Sequence, residues 1–481
     1  MPELLRPDIC VIGAGAGGLS VAAAAAAFGV SVVLVEKGKM GGDCLNTGCV
    51  PSKSLIAAAK HARAIAQAEG FGLSAPPPDV DFAAVHKHLH EVIAAIAPND
   101  AKERFTGLGV KVIEGSARFK NRRTVTVGNG LEIRARRFVI ASGSSPSVPP
   151  IPGLEATPYL TNETVFDLTT RPEHLVIVGA GPVGLELAQA FRRLGAAVTV
   201  LEAQEPLARE DPECAEVVLG QLAREGVTLR SAIEIVRVEA NESRIAIVVR
   251  DRGQDDDAGN EQTIEASHLL IATGRTPSTA DLGLEQARVR YGRDGIHVDE
   301  ELKTSNKRVY AVGDVIGDAQ FTHVANYHAG LVIRNVLFRQ GAKVNGDVIP
   351  RVTFTDPELA HVGLTEAQAR ERKMKIHLLR WPYHENDRAQ AERSTIGHIK
   401  VVTSTKGIIL GATIVGAGAG ELITTWTLAV TQGMNIKAIA GMVVPYPTLA
   451  EIGKRAAITY FTPTLTSSWV RRIVDLLRRL G

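Results

Sequence analysis

The feature that most constrains this chain is a unit that occurs twice. "DICVIGAGAGGLSVAAAAAAFGVSVVLVEK" begins at Asp8, and "HLVIVGAGPVGLELAQAFRRLGAAVTVLEA" begins at His174. Aligned, Gly13 falls on Gly179, Gly15 on Gly181, Gly18 on Gly184, Gly29 on Gly195 and Glu36 on Glu202. Each copy reads as an apolar strand, a glycine turn, an Ala-rich helix and a second apolar strand ending in an acid. That is the dinucleotide-binding βαβ pattern. The first glycine permits the tight turn, the second lets the backbone approach a pyrophosphate, and the third lets helix pack on strand. The pyrophosphate sits at the helix N-terminus, where free N–H groups and the helix dipole favour an anion.

Two copies imply two dinucleotides, and a flavin with a nicotinamide is the natural pair for electron transfer. FAD is assigned to the first copy, because the flavin stays bound and a cysteine pair directly follows. The nicotinamide is assigned to the second. Glu202 would accept from a ribose 2′-hydroxyl and repel a 2′-phosphate, which favours NAD(H) over NADP(H). Arg209 reads as a solvated surface charge.

Bulk properties set the frame. A chain of 481 residues is expected to hold two to four domains. A formal net charge of +2 gives no strong field toward nucleic acid. No secretory signal pattern opens the sequence, and no long apolar run calls for a membrane span. The four cysteines, Cys10, Cys44, Cys49 and Cys214, do not make a secreted disulfide framework. A reducing cytoplasm is expected. Cys10, in the first apolar strand, and Cys214, in an expected helix, read as packing cysteines.

"GGDCLNTGCVPSK", residues 41–53, holds the remaining pair. A metal clip needs more ligands than this C-x4-C spacing offers, and no second Cys/His knot follows. "HKHLHE" places His86 and His90 on one helical face and reads as polar surface. No metal site is expected. A dithiol beside a flavin can take up two electrons and pass them on as a disulfide opens and closes.

With these residues in place, the chain resembles the pyridine nucleotide–disulfide oxidoreductases, the family of dihydrolipoyl dehydrogenase, glutathione reductase and mercuric reductase. Further pieces stand in family order. "RFVIASGSSPSVPPIPG" (137–153) looks like the crossing out of the flavin domain, and "LLIATGRTPST" (269–279) like the return. "VYAVGDVIG" (309–317) looks like the late flavin motif, and "RVTFTDPELAHVGLTEAQA" (351–369) like the opening of the interface domain. The implied fold is α/β, with two Rossmann-like dinucleotide-binding domains and a C-terminal α+β dimerisation domain. The implied division is 1–150 and 274–347 for FAD, 151–273 for NAD(P), 348–465 for dimerisation and 466–481 for a basic amphipathic tail. A homodimer is implied, because the family's site uses both subunits.

The resemblance also implies roles. NADH would reduce the flavin, and the flavin would reduce the Cys44–Cys49 disulfide. Cys49 would be the thiolate beside the flavin and Cys44 the thiol that meets the outside substrate. Lys53 would stand near the flavin, paired with Glu186. Gly13, Gly15, Gly18, Glu36, Lys37, Gly42, Gly143 and Asp314, with Gly179, Gly181, Gly184, Glu202 and Gly274, would line the two cofactors.

The chain departs from the family at its delivery systems. Disulfide-reducing members carry His-Pro-Thr followed by Glu. Here Tyr446-Pro447-Thr448 and Glu451 stand at those positions. A tyrosine with a reference pKa of about 10 is a poor neutral-pH base, though it donates hydrogen bonds. Mercuric reductase has a tyrosine in this region, but also a terminal cysteine pair, and this chain ends "WVRRIVDLLRRLG". The acceptor is therefore a disulfide, a thiol or a metal ion. Alternatives are a quinone or other small acceptor reduced without thiol exchange, and a redox-sensing FAD/NADH-binding protein. The tail reads as a short helix with an apolar side and four arginines, suited to weak membrane-surface contact or to packing on the chain's own dimer or another soluble partner.

Overall fold

The computed structural model describes residues 3–128, 130–241, 244–252, 261–465 and 467–480. Contacts divide the chain into two units: residues 1–179, 190–201 and 233–344, and residues 180–189, 202–232 and 345–481.

In the first unit, β1 (Ile9–Ile12), α1 (Ala16–Ala27) and β2 (Val32–Glu36) form the first copy of the repeated unit. Next come α2 (Gly42–Asn46), α3 (Cys49–Ala66), β3 (Lys111–Glu114) and β4 (Arg137–Ile140). The second copy is β5 (His174–Val178), α4 (Pro182–Arg193), whose residues up to 189 fall in the second unit, and β6 (Ala197–Leu201), followed by β7 (His268–Ile271), β8 (Val309–Ala311) and α5 (Thr322–Phe338).

Strands β8, β4, β1, β2 and β3 make a five-stranded parallel sheet in that order. All four β1 residues are buried, the signature of a parallel strand covered on both faces. The alanines of α1 let α5 approach closely. Leu19, Val21, Ala22 and Ala25 share a core with Leu331, Val332, Ile333 and Val336. Burying each large aliphatic of that set contributes about 1.5–3 kcal/mol. Strand β5 pairs in parallel with both β6 and β7. The two expected crossings meet: Ser144–Pro146 pairs antiparallel with Arg275–Pro277.

In the second unit, β9 (Arg351–Thr353), β10 (Glu358–Gly363), β11 (Ile376–Pro382), β12 (His398–Ser404) and β13 (Ile409–Gly416) form an antiparallel sheet, ordered β9-β10-β13-β12-β11. Helices Ala419–Thr431 and α6 (Glu451–Thr459) bury Ile423, Trp426, Ile452 and Ala456 in the core they share with that sheet. Helix α7 (Ser468–Leu477) follows and buries none of its residues. The tail's positions 466 and 481 lie outside the described residues. The α/β architecture expected from the sequence is the one observed.

Candidate active site

The cysteine segment begins with two glycines for a steric reason. Gly41 and Gly42 have φ of +86° and +59°. A Cβ on Gly42 would lie 2.7 Å from the Gly15 Cα. Only glycine lets this segment lie against the first glycine turn. Cys44 then falls within α2, and Cys49 opens α3.

The two thiols share a hydrogen bond. That bond, then burial, raises the Cys44 pKa far above the ordinary thiol range. The Thr322 hydroxyl acts against the shift, and the Asp43 charge adds to it. Cys49 Sγ lies 3.6 Å from Thr322 Oγ1. Thr322 is the first residue of the 17-residue α5. Cys49 thus stands at one helix start and against another, where N–H dipoles favour negative charge on sulfur.

Residues that the sequence reading passed over tie this segment to the late flavin motif. Arg275 forms a 2.8 Å ion pair with Asp43 and lies 3.7 Å from Asp314. Its Nε donates to Ser144 Oγ at 2.7 Å, and Ser144 Oγ donates to Asp314 Oδ2 at 2.6 Å. Asp43 also accepts from Thr47 and from Asn162 Nδ2. Arg275 directly follows the quoted Gly274, so a signal was present. A cation next to a turn glycine does not disclose its distant anions.

The two glycine turns are built alike. Gly13 has φ +103°, and its Cβ would meet the Ala141 carbonyl oxygen at 2.3 Å. Gly179 has φ +110°, and its Cβ would meet that of Ala272 at 2.5 Å. Glu36 Oε2 accepts from Ala14 N at 2.5 Å and Oε1 from Gly38 N at 2.7 Å. Glu202 repeats this with Ala180 N at 2.7 Å and Gln204 N at 2.9 Å. Each acid therefore also braces its own loop.

Dinucleotides fit these loops. A Cβ on Gly181 would meet nothing within 4 Å, and one on Gly15 would meet only the Gly42 Cα, at 3.9 Å. The backbone at the middle glycine thus faces open space at the start of a 12-residue helix in both copies. Gly143 and Gly274 have φ of +71° and +109°, with open space at their Cβ positions as well. Lys37 is exposed.

Lys53 sits on α3, one turn beyond Cys49, and is half-buried. Glu186 on α4 is 5% exposed, and its Oε1 accepts from Phe354 N at 2.9 Å. Tyr446 is 70% exposed and donates its hydroxyl to Asp387 Oδ2 at 2.8 Å. That hydrogen bond holds the phenol pKa above its ordinary value. Glu451 is the first residue of α6.

The chain has a match to the pyridine nucleotide-disulphide oxidoreductase model over residues 7–329. A second model, the dimerisation domain of the same group, matches residues 349–457. The chain belongs to this family. It is a flavin- and pyridine-nucleotide-dependent oxidoreductase, as the resemblance implied, and its dimerisation domain supports a homodimer.

Among relatives of this oxidoreductase, a mercuric reductase of Streptomyces lividans is 38% identical, covering 94% of this chain and 96% of its own length. A dihydrolipoyl dehydrogenase of Geobacillus stearothermophilus is 33% identical with the same coverage. Among solved structures, the Cu(II) complex of the HOCl-induced flavoprotein disulfide reductase RclA of Escherichia coli superposes with a TM-score of 0.83. It is 27% identical, covering 94% of this chain and 99% of its own.

The other two cysteines lie apart from this site. Cys10 is fully buried, and burial pushes its thiol pKa up to about 12. Cys214 is buried too, on helix Pro212–Arg224, with its Sγ 3.5 Å from His398 Nε2. His86 and His90 share a face of helix Phe82–Ile96, their ring centroids 4.1 Å apart. Among the described residues, no group of three or more His, Cys, Asp or Glu is arranged to hold a metal ion. No described helix is long and apolar enough to cross a membrane.

Proposed function

We propose that this oxidoreductase draws two electrons from NADH and delivers them through the Cys44–Cys49 pair to a thiophilic metal ion. The observation that carries this reading is the state of Tyr446. It stands where disulfide-reducing relatives place their acid/base histidine, and its proton is committed to Asp387. A hydroxyl with a raised pKa is a poor proton acceptor at neutral pH. Exchange with a disulfide needs protons moved to the departing thiols. Reduction of a metal ion held between two thiolates does not. The names of the relatives, a mercuric reductase and a flavoprotein seen with Cu(II), agree with this class of acceptor.

When bound, the flavin supplies the two-electron carriage between nicotinamide and dithiol. The chain's own residues do the rest. Gly13, Gly15, Gly18 and Asp314 hold the flavin nucleotide, with Glu36, Lys37, Gly42, Lys53 and Gly143 around it. Gly179, Gly181, Gly184 and Gly274 admit the nicotinamide nucleotide, and Glu202 selects a free 2′-hydroxyl. Lys53 supplies a positive charge near the flavin, and Glu186 a negative one on the nicotinamide-domain helix. Cys49, at two helix starts, carries the thiolate. Cys44, on α2, faces the acceptor. Glu451 supports Tyr446. The residue ranges we assign are 1–150 and 274–347 for FAD, 151–273 for NAD(P), 348–465 for the subunit interface and 466–481 for an appended tail. The small number of cysteines fits a cytoplasmic enzyme.

A second acceptor class, a disulfide, is favoured by the thiol–thiol hydrogen bond alone. There the Cys44 thiolate attacks the acceptor disulfide and releases one thiol. Cys49 then displaces the second thiol and closes the Cys44–Cys49 disulfide, so two electrons leave the pair. Anaerobic rapid mixing separates the two. The enzyme is reduced with NADH, its long-wavelength thiolate absorbance is recorded, and it is mixed with oxidised lipoamide or with Hg(II) or Cu(II). Rapid loss of the band with a metal ion and slow loss with lipoamide is expected. The reverse order overturns the metal assignment, and failure to form the band overturns the Cys44–Cys49 assignment.

A further inference from the structure

Helix α7 plays no part in the chemistry above. It lies beyond the last residue, 457, of the matched dimerisation domain. None of its residues is buried, although six of the ten are large and apolar. Trp469 is 68% exposed, Leu476 60%, Leu477 58% and Leu480, just past the helix, 77%. At 100° per residue, Trp469, Val470, Ile473, Val474, Leu476, Leu477 and Leu480 occupy one side. Arg471, Arg472, Arg478 and Arg479 occupy the other, with Asp475 the only acid among them.

We propose that α7 is a docking element that lays the enzyme on an anionic lipid surface. Three properties select this occupant. First, the helix combines a continuous apolar face, a low mean hydropathy and a strongly basic opposite face, as helices lying in a bilayer interface do. Second, its ten residues span about 15 Å, half of the roughly 30 Å hydrocarbon thickness, so it lies on a membrane rather than across it. Third, the charge is complementary. Four arginines flank the apolar face on a chain whose formal net charge is only +2. Phosphodiester headgroups pair with the arginines while the acyl boundary takes the apolar face, so one surface satisfies both sides of the helix. Trp469, with an apolar body and a polar N–H, suits the headgroup boundary.

Flotation of the full-length flavin-loaded enzyme with lipid vesicles tests this. Binding is expected to vesicles of phosphatidylcholine with phosphatidylglycerol and to be lost with phosphatidylcholine alone. It should weaken as salt rises, since surface charge attraction is screened. Each arginine removed should weaken binding about fivefold, so R471E/R472E should release the enzyme. L476D/L477D should release it as well, with NADH oxidation in solution unchanged in both variants. Trp469 emission should shift to the blue with anionic vesicles, and W469F should lack that shift. Failure to float with anionic vesicles overturns the proposal. So does binding indifferent to lipid charge and to R471E/R472E. A smaller assembly for L476D/L477D by light scattering, without any vesicle binding by the parent, would assign the face to a second copy instead and overturn it too.

Discussion

Arg275 grips Asp43 at 2.8 Å, and Asp43 is the residue immediately before Cys44. The same guanidinium lies 3.7 Å from Asp314 of the late flavin motif and hydrogen bonds the first crossing through Ser144. One cation thus holds the thiol segment, the flavin motif and the crossing ribbon in register. Its side chain is 20% exposed, so water replaces it poorly.

Arg275→Met should therefore lower turnover without touching the cysteines. Hydrogen bonds to charged groups contribute about 1.5–3 kcal/mol, so a loss of roughly tenfold to a hundredfold is expected. Arg275→Lys keeps the charge but not the fork, and should fall between. Flavin retained per chain and the acceptor rate, measured together, check this. An unchanged rate in Arg275→Met would show that the ion pair is only structural.

The two cysteines should not be equivalent. Cys44→Ser should keep a long-wavelength thiolate absorbance, and Cys49→Ser should lose it. Each should lower acceptor turnover by on the order of 10³ or more, as removal of a nucleophile does. Absorbance spectra under anaerobic conditions decide the assignment. A band surviving in Cys49→Ser would exchange the two roles.

Tyr446→His should create a better disulfide reductase. A positioned general acid or base is worth about 10²–10⁴-fold, and histidine titrates near neutrality. The lipoamide rate should rise by about 10²-fold and acquire a pH dependence near 6.5. Tyr446→Phe should leave metal-ion turnover little changed. Steady-state rates with both acceptors across pH test the pair.

Stability should depend on a buried charge cluster in the second unit. Lys400 Nζ meets Asp211 at 2.8 Å, Glu213 at 3.1 Å and Glu366 at 2.9 Å, and its side chain is 5% exposed. Burial alone would lower the Lys400 pKa, but the three carboxylates more than offset it, and the net shift is upward. Lys400→Met leaves Asp211, 3% exposed, without its cation, while Glu213 and Glu366 keep Arg380 and Arg370, and should cost about 3–5 kcal/mol. Urea unfolding measures it.

The same unit should lose stability in acid. Arg380, ahead of Lys400, brings Glu213 down to about 2 from an ordinary 4.5. A depressed carboxylate stabilises above 4.5, and that contribution is lost as pH falls toward 2. His361 is buried and neutral: Nε2 donates to the Gly363 carbonyl and Nδ1 accepts from Thr413. Burial holds its pKa at about 3, below the ordinary 6.5. Its contribution is whole above 6.5 and falls away between 6.5 and 3, because the unfolded chain takes up the proton first. Urea midpoints should drop from pH 6.5 downward, and Glu213→Gln should flatten the steepest part below 4.5.

Much of this architecture was readable in the letters, for identifiable reasons. The glycine turns announce themselves because no other residue tolerates the φ of Gly13 and Gly179 with a carbonyl 2.3–2.5 Å from the missing Cβ. Their acids stand at fixed strand ends, where Glu36 and Glu202 bond the same relative amides. The cysteine pair is local and carries its own glycines. Long-range partners were not readable. Thr322 lies 273 residues from Cys49, and Lys400 lies 189 residues from Asp211. Nothing in the local pattern of a threonine or a lysine names a partner that far away. The letters around Cys214 indicate only packing, because its neighbour His398 lies 184 residues away.

The two glycine turns share their steric plan, yet their two nucleotides must behave differently in time. One carrier has to stay through every cycle, while the other must leave once each cycle. The turns themselves cannot supply that difference, since glycines and bracing acids match one for one. What differs is the neighbour. A Cβ on Gly15 would meet the Gly42 Cα at 3.9 Å, whereas one on Gly181 would meet nothing within 4 Å. The double glycine before Cys44 is thus the feature that sets a second backbone segment beside the first turn, since a Cβ on Gly42 would lie 2.7 Å from the Gly15 Cα. A bulkier residue at position 42 should push that segment off the turn, and a drop in flavin retained through dialysis would measure it.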